Sequence, residues 1–285
     1  MPELPEVETI KKQLADTIVG CKITNVWFDN PKGLQPSPAV FIKGIKGSII
    51  QRIDRRAKLL VFYLDNSKAF VAHLRMTGRL LVRKVGDPKD DFAHVILSLG
   101  ARSKGLGASK EKSRQLRPLE LRFCDARKFG FMRFLKDRKE LEELLLGYGP
   151  EPLDDLSLEK FRQILSKNRR SIKEVLMDQK LISGIGNIYA NDSLWLAKTH
   201  PLEPANKVDT AIVFEAIERV LAEGLKDGGA SDQWYVNAFG GKGKYQEHFK
   251  VYGRKGKSCL RCKTIIRRIV ITSRGTFYCP KCQIL

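Results

Sequence analysis

The chain has 285 residues, enough to bury a core of its own, and its 42% hydrophobic content is typical of a globular protein. An excess of 52 Lys and Arg over 32 Asp and Glu gives a formal charge of +20, which favours a polyanionic partner, above all a nucleic acid. No apolar run reaches the length of a membrane-spanning helix, and the acid-rich first residues are unlike a signal peptide, so we expect a cytoplasmic protein with no membrane partner.

The first predicted element is a helix that begins almost at the start of the chain, in MPELPEVETI. It stops near Gly20, because the apolar residues after Pro5 keep helical spacing only up to that point: Val7, Ile10, Leu14 and Ile18. Proline and acidic residues therefore stand directly ahead of a helix.

Residues 21–135 carry the pattern of an antiparallel β domain. The segments KLLVFYL and KAFVAHL flank the turn residues Asp65, Asn66 and Ser67, and HVILSL and LELRF are further strands. Residues 101–118 contain six basic residues, one acidic residue and almost nothing to bury. We expect them to form a flexible, solvated basic loop rather than a phosphate contact.

The second half of the chain is predicted to be helical. It follows GYGPEPLDD at 147–155, whose Gly and Pro residues are typical of an interdomain connection. Four segments have helical spacing: LSLEKFRQILSK, SIKEVLMDQK, NIYANDSLWLAK and VDTAIVFEAIERVLAEGL. Residues 237–250 are rich in glycine and are predicted to form a mobile loop.

Four cysteines have the spacing of a structural zinc site, in which two C-x-x-C pairs lie on tight turns and sixteen intervening residues form a hairpin: Cys259, Cys262, Cys279 and Cys282. The other two, Cys21 and Cys124, are interpreted as buried thiols. Residues 251–285 contain nine Lys or Arg and no Asp or Glu, so a zinc hairpin here is expected to lie on nucleic acid. A module that zinc merely staples together, because its core is small, fits the same spacing.

Pro2 is a candidate nucleophile, because removal of Met1 would give it a free secondary amine. An α-amino group has an ordinary pKa of about 7.7–8.0, against about 10.4 for lysine, so about a tenth of it is neutral at pH 7. Attack on a sugar aldehyde carbon would give an iminium ion, and Glu3 could shuttle protons at that carbon. The structural alternative is that proline is common at helix starts and that acids there suit the helix dipole.

Several blocks resemble the formamidopyrimidine-DNA glycosylase family in the same order along nearly the whole chain: MPELPEVET, RRAKLL, HLRMTG, DARKFGF, DQKLISGIGNIYA, VYGRKG and RGTFYCPKCQ. The resemblance implies an α+β protein. Its N-terminal antiparallel β-sandwich with flanking helices would span 1–135, and a linker region 136–155. A helix-two-turn-helix domain with a lesion-capping loop would span 156–250, and a four-cysteine zinc-finger hairpin 251–285.

The same resemblance implies a monomeric base-excision-repair enzyme that acts on double-stranded DNA containing an oxidised base. It would remove oxidised purines (8-oxoguanine and formamidopyrimidines) and nick the abasic site by β,δ-elimination. One structural Zn²⁺ would be its only cofactor.

The matched positions imply roles for individual residues. Pro2 would displace the damaged base, and Glu3 would protonate and open the sugar. Lys58 would touch the lesion or its flanking phosphate, and Arg274 would bind phosphate during the δ-elimination step. The implied DNA contacts are the base-extruding trio Met76, Arg127 and Phe129, together with His94, Lys173 and Asn187, the last two beside a helix N-terminus that receives a phosphate. From charge alone, Arg169 and Arg170 are predicted to add nonspecific phosphate contacts.

Four of these residues have a plainer alternative in the residue pattern. Lys58 could be one more surface cation, and Met76 and Phe129 lie in or near apolar strands, where core packing is the ordinary explanation. A histidine in a strand, such as His94, is usually hydrogen-bonded in place. The single G-x-G before Asn187 is too short to indicate a dinucleotide fold.

Some positions depart from the usual family pattern. DARKFG stands where many members have DPRRFG, Ala57 replaces a common Gly, and Asn191-Asp192 carries a shorter acid than the usual Glu. Three other functions also fit part of the sequence. They are an oxidised-pyrimidine glycosylase resembling endonuclease VIII, which usually has Gly where Leu4 stands; a noncatalytic zinc-finger DNA-binding protein; and a zinc-ribbon RNA-binding factor.

Overall fold

The computed structural model describes residues 1–102 and 118–285. The basic loop predicted at 101–118 therefore falls almost entirely outside the described residues. Two units make up the described chain. The first, called here the sandwich unit, comprises Met1–Pro2, Glu6–Leu146 and Ala230–Gly243. The second, called the helical unit, comprises Glu3–Pro5, Gly147–Gly229 and Lys244–Leu285.

Two β-sheets form the body of the sandwich unit. Their strands are β1 (Cys21–Phe28), β2 (Leu34–Gln35), β3 (Ile50–Arg56), β4 (Leu59–Leu64), β5 (Ala69–His73), β6 (Gly78–Lys84), β7 (Ala93–Arg102), β8 (Leu119–Asp125) and β9 (Phe131–Leu135). One sheet has the order β1-β7-β8-β6, and the other has the order β2-β9-β5-β4-β3. All neighbouring strands are antiparallel except β2 and β9, a two-residue parallel pair. The predicted antiparallel β domain is confirmed.

The core of this unit takes side chains from both sheets and from helix α1 (Leu4–Ile18). Phe62 on β4 and Phe70 on β5 stack with ring centroids 4.3 Å apart, and Leu97 and Leu121 come from the other sheet. The apolar stripe predicted for the first helix is buried, with Leu14 and Ile18 at 0% exposure in the same cluster. Burial of one face against the sheets is what makes this helix stable.

Two helices of the sandwich unit were not predicted. Helix α2 (Pro38–Ile45) lies inside the range predicted to form strands, and it starts with Pro38 at its first position and the Ser37 hydroxyl accepting from Val40 N. Helix α3 (Arg138–Leu146) lies in the range 136–155 that the resemblance assigns to a linker. The signal for α2 was present in the Ser-Pro pair, but the surrounding strand pattern outweighed it.

Four helices carry the helical unit, and all four were predicted: α4 (Leu158–Ser166), α5 (Ile172–Met177), α6 (Asn187–Leu196) and α7 (Thr210–Lys226). Side-chain caps fix three of their starts, at Ser157, at Ser171 in a capping box with Glu174, and at Asp209. Helix α6 is buried on nearly all sides from Ile188 to Trp195. No helix of the described residues is long and apolar enough to cross a membrane.

The C-terminal segment folds as the predicted hairpin. Strands β10 (Arg267–Ile271) and β11 (Arg274–Tyr278) pair antiparallel, and the two-residue turn between them has positive φ at both Thr272 (45°) and Ser273 (62°). A small apolar cluster joins this hairpin to the helices of the same unit and includes Trp195, Val251 and Ile266. The predicted fold class, a β-sandwich with flanking helices followed by a helical part and a cysteine hairpin, is confirmed.

Candidate active site

Glu3 is fixed at the start of helix α6. Its side chain is buried, with the residue 2% exposed, and its Oε1 accepts a hydrogen bond from Ile188 N at 2.9 Å. Oε2 accepts a longer one from Tyr189 N at 3.4 Å. The first N–H groups of a helix have no partner within the helix and favour an anion. At the start of α6, this anion is the carboxylate of Glu3.

The G-x-G sequence ahead of α6, Gly184 to Gly186, provides the space that this carboxylate occupies. A Cβ on Gly186 would lie 2.5 Å from Glu3 Oε1, so only glycine leaves room for the side chain. Gly184 has φ +90°, and its carbonyl accepts from Leu4 N at 3.0 Å. The two glycines therefore hold residues 3 and 4 by backbone geometry.

Pro2 is buried in the sandwich unit, and Met1 is 42% exposed. Further along α1, the Glu6 carboxylate is 1% exposed and accepts from Ala230 N at 2.7 Å. The carbonyl of Glu6 also accepts from the Tyr235 hydroxyl at 3.4 Å. Glu6 thus fixes the Ala230–Gly243 segment onto the first turns of α1, a role that was not predicted.

Lys58 is not a surface cation. It is 4% exposed, directly after Ala57, whose φ is +54° in the tight turn between β3 and β4. His73, at the end of β5, is paired in register with the neighbouring Leu59. Burial, together with the positive charges of Arg75 and Lys58, lowers the pKa of His73 to about 3, so this histidine is neutral. Its Nδ1 accepts from Arg75 N at 3.0 Å, which leaves the proton on Nε2.

The residues predicted to extrude a base lie on turns of the sandwich unit. Met76 is half-buried on the turn between β5 and β6, and Phe129 is 55% exposed on the turn after β8. The guanidinium of Arg127 lies 4.7 Å from the centroid of the Phe129 ring. Core packing, the plainer explanation for Phe129, does not describe a ring with this exposure.

One buried carboxylate links these two turns. Asp125 is 1% exposed, and its Oδ1 accepts from the Thr77 hydroxyl and from Arg127 N, the latter at 3.2 Å. Its Oδ2 accepts from Gly130 N at 2.6 Å. Asp125 therefore holds the Met76 turn and the Arg127–Phe129 turn side by side. Sequence reasoning passed over it, although it opens the DARKFG block.

His94 is only half satisfied within the protein. On β7, its Nδ1 lies 2.7 Å from the Asp29 carboxylate. Its Nε2 is buried and has no hydrogen-bond partner among the described residues. Hydrogen bonding in place thus explains the position of Nδ1 but leaves the buried Nε2 unexplained.

The predicted residues of the helical unit gather around the β10–β11 hairpin. Lys173, on α5, is 1% exposed and its Nζ donates to Thr276 Oγ1 at 2.6 Å. Burial, assisted by the charge of Arg274, lowers the pKa of Lys173 to about 7, although Glu3 opposes the shift. Asn187 Nδ2 donates to the Gly275 carbonyl at 3.1 Å.

An open cleft of about 280 Å³ lies beside Lys173. Its walls come from helix α5, its flanks and the hairpin: Arg170, Lys173, Glu174, Met177, Asp178, Ile271, Thr272 and Arg274. Arg274 is exposed, whereas Arg170 is paired with Asp178 at 3.1 Å. Arg169 is exposed on the loop between α4 and α5 but does not line the cleft.

The four hairpin cysteines fit a zinc ion. All four Sγ atoms lie within 4.8 Å of one another, with Cys262 and Cys279 at 3.4 Å and Cys259 and Cys282 at 4.0 Å. Tetrahedral Zn–S bonds of about 2.3 Å require S–S separations of about 3.8 Å. Burial and the neighbouring thiols raise the pKa of Cys282, and a cation among the sulfurs would favour its thiolate form.

Three family models cover the chain in order. Residues 1–132 match the model described as "Formamidopyrimidine-DNA glycosylase N-terminal domain", and residues 148–235 match "Formamidopyrimidine-DNA glycosylase H2TH domain". Residues 256–284 match "Zinc finger found in FPG and IleRS". The chain belongs to the formamidopyrimidine-DNA glycosylase family. The resemblance predicted from the sequence is confirmed, and so is the structural zinc site, on which the third match and the four clustered cysteines agree.

Relatives in the formamidopyrimidine-DNA glycosylase (Fpg) family match over essentially the full length. The Fpg of Herpetosiphon aurantiacus is 41% identical over 99% of this chain and all of its own. The structure of Lactococcus lactis Fpg with abasic-site DNA has a TM-score of 0.88 and 33% identity, covering 99% of this chain and 100% of that one. A complex of the same Fpg with Fapy-dG DNA has a TM-score of 0.86, 32% identity and the same coverage.

In this Fpg family member, many candidate site residues were predicted from the sequence. The residues whose hydrogen bonds position them were not. Each helical-unit residue named from the sequence lies on or beside α5, α6 or the hairpin. Glu6, His73 and Asp125 were not found, because their partners are backbone groups or residues distant in the chain. The one local signal was the position of His73 and Asp125 at strand ends inside the quoted blocks.

Proposed function

We propose that this protein is a bifunctional DNA glycosylase and AP lyase that removes oxidised purines, 8-oxoguanine and formamidopyrimidines, from double-stranded DNA. The observation that carries the proposal is the carboxylate of Glu3, held by the start of α6 next to Pro2 in the chain. The full-length family membership supports it. The charge of +20 supplies the attraction to the DNA backbone.

The nucleophile is the Pro2 amine, which requires that Met1 be removed. The nitrogen attacks C1′ of the damaged nucleotide, forming the N–C1′ bond while the glycosidic bond breaks and the base leaves with its electron pair. Glu3 then takes the proton from the alkylated Pro2 nitrogen and delivers it to the sugar ring oxygen, so that the C1′–O4′ bond opens while the nitrogen lone pair forms the iminium ion. A carboxylate fixed by backbone donors is already oriented for this transfer.

Strand cleavage follows from the iminium. Loss of a proton from C2′ expels the 3′ phosphate in the β step, and a second elimination expels the 5′ phosphate. Lys58 and Arg274 contact the lesion and its flanking phosphates. Lys173, Asn187, His94 and Arg169 add further contacts to the backbone, which position the DNA without reading its sequence.

The damaged base reaches this chemistry by extrusion from the duplex. Met76 and Phe129 act as wedges in the space that the base leaves, and Arg127 reaches the orphaned partner base. When bound, zinc supplies a cross-link among the four thiolates, which closes the finger and presents Arg274.

Borohydride trapping tests the proposal. The protein is incubated with a duplex that carries 8-oxoguanine opposite cytosine, and borohydride reduces any iminium to a stable crosslink that peptide mass spectrometry locates. We expect the crosslink at Pro2, retained by Pro2→Gly, which keeps an amine. It should be absent from protein whose intact mass shows Met1 in place.

Other outcomes contradict specific parts of the proposal. A crosslink on Lys58 would transfer the nucleophile to that residue. Binding without crosslink or base release would identify a noncatalytic DNA-binding protein. A parallel duplex with an oxidised pyrimidine tests the substrate, because faster excision from it than from the 8-oxoguanine duplex would make this an endonuclease VIII-like enzyme.

A further inference from the structure

Three residues of α6 form a stripe that faces the zinc hairpin. Asn187, Asn191 and Trp195 are spaced four residues apart and therefore share one side of the helix. We call them the α6 stripe. Asn187 Nδ2 donates to the Gly275 carbonyl, and Asn191 Oδ1 accepts from Phe277 N at 2.7 Å. Both contacts fall on β11, so the first two residues of the stripe hold one strand of the hairpin.

The third residue of the stripe reaches the metal site. Trp195 Nε1 lies 3.3 Å from Cys259 Sγ, and both residues are buried, at 7% and 0% exposure. An indole has a single donor and no acceptor, and a buried indole N–H needs a partner. In this structure its partner is a sulfur of the four-cysteine set.

Arg261, which stands between Cys259 and Cys262 in the chain, fixes the indole from the other side. Its guanidinium lies 4.3 Å from the centroid of the Trp195 ring. The same guanidinium donates to the carbonyls of Trp195 and Leu196, each at 3.2 Å, where α6 ends and carbonyls lack helical partners. These contacts support the orientation in which the indole N–H faces Cys259 Sγ.

A hydrogen bond to a metal-bound thiolate changes how the sulfur behaves. It draws electron density from the sulfur and orients it toward the metal, and outer groups of this kind commonly alter metal affinity by 10- to 100-fold. It also reduces attack by oxidants, since the thiolate is the reactive form of cysteine.

We propose that Trp195 is an outer hydrogen-bond donor to the zinc ligand Cys259, which slows loss of zinc and fixes the hairpin on α6. The inference goes beyond the proposed reaction and does not depend on it, because it concerns retention of the metal. Trp195 is a positioning residue that acts through Cys259 and through the docked strand β11.

The first test replaces the donor and keeps the ring. Trp195→Phe removes the N–H, and Trp27→Phe, in the sandwich unit, is the matched control. Zinc release from the full-length protein into excess chelator, read by a chromogenic dye, should be roughly tenfold faster for Trp195→Phe than for the control. Dilute hydrogen peroxide should also release zinc faster from Trp195→Phe than from Trp27→Phe. Equal rates for wild type, control and variant would overturn the proposal.

The second test needs no substitution at Trp195. Zinc is exchanged for an NMR-active cadmium isotope, and the indole signals are recorded with nitrogen-labelled tryptophan. The Trp195 indole proton should show a scalar coupling to the metal through the N–H···S bond, and the indoles of Trp27 and Trp234 should show none. Absence of coupling at Trp195 in metal-loaded protein would overturn the proposal, whatever the folding of the variant.

Discussion

In the sandwich unit, the residues on the Met76 and Arg127–Phe129 turns depend on one buried side chain, because Asp125 accepts hydrogen bonds from both turns. In the helical unit, the α6 stripe, a cysteine cluster and two glycines each constrain a different part of the hairpin or of Glu3. Hydrogen-bonded turns weaken by degrees when one partner is changed, whereas a metal site opens completely. Single substitutions should therefore cause graded losses of stability and activity in the sandwich unit and an abrupt loss of structure at the metal site of the helical unit.

The largest effect is expected from the metal site. Cys279→Ser removes one of four thiolates, and because structural zinc supplies about 10–16 kcal/mol of apparent folding free energy to such modules, the hairpin should unfold. Elemental analysis should find no zinc, and tight DNA binding should be lost. Cys21→Ala, a buried cysteine outside the cluster, is the control and should retain metal. A zinc-loaded Cys279→Ser protein would contradict the prediction.

A second substitution tests whether Gly186 is needed to leave space for the Glu3 carboxylate. Gly186→Ala places a methyl group 2.5 Å from Glu3 Oε1, so the carboxylate must leave the start of α6. A displacement of about 1 Å at a reacting group costs about a hundredfold in rate, and we expect a loss of base excision of that size or more. Gly33→Ala, whose new Cβ would meet only the Asn30 side chain at 3.3 Å, should retain activity. Single-turnover kinetics would measure both.

A third substitution weakens the hydrogen bonds by which Asp125 holds the Met76 turn and the Arg127–Phe129 turn together. Asp125→Asn keeps one acceptor but turns an NH2 group toward a backbone N–H, at a cost of about 1.5–3 kcal/mol of unfolding free energy. Denaturant titration measures that cost. Excision from intact duplex should fall more than elimination at a preformed abasic site, because the turns serve extrusion. Met76→Ala should show the same ratio without the loss of stability, and equal losses on both substrates would reject a role in extrusion.

The last prediction concerns how protein stability and DNA affinity depend on the titration of Lys173. With a folded pKa of about 7 against an ordinary 10.5, this lysine is charged below pH 7 in both the folded and the unfolded chain. Between pH 7 and 10.5 only the unfolded chain binds the proton, so this group makes stability rise with pH across that window.

A DNA phosphate near Lys173 would favour the ammonium, so binding above pH 7 should take up a proton. The affinity for DNA should then fall by up to about tenfold for each unit by which the pH rises above 7. Fluorescence titrations between about pH 6.5 and 9 would measure the slope. Lys173→Arg, which stays charged throughout, should flatten it, and an unchanged slope in that variant would assign the proton to another group.

The fold followed from sequence wherever its signal was local. Apolar spacing located α1 and the four helices of the helical unit, and the cysteine spacing located the zinc hairpin. Helix α2 was missed because eight residues give little periodicity within a strand-rich region. Helix α3 was missed because its charged sequence, KDRKELEELLL, runs directly into Gly and Pro residues that are typical of a linker.

The candidate site was only partly accessible to such reasoning. Pro2, Glu3 and the cysteines could be proposed from their own chemistry, and the other residues were named through resemblance, so their roles stay predictions. The residues that position them could not be predicted, because their hydrogen-bond partners are far away in the sequence. Glu6 accepts from Ala230 N, and Asp125 accepts from the Thr77 hydroxyl. Burial of Lys58 was equally hidden, since a cation in a basic stretch gives no sign of the tight turn that encloses it.

The spacing of the α6 stripe has a consequence for how this chain can change in length. One residue inserted between Asn187 and Trp195 would rotate the indole about 100° around the helix axis and advance it by about 1.5 Å. The rotation would separate the N–H from Cys259, and a deletion would do the same in the opposite sense. The number of residues between Asn187 and Trp195 is therefore constrained along with the side chains of the stripe themselves.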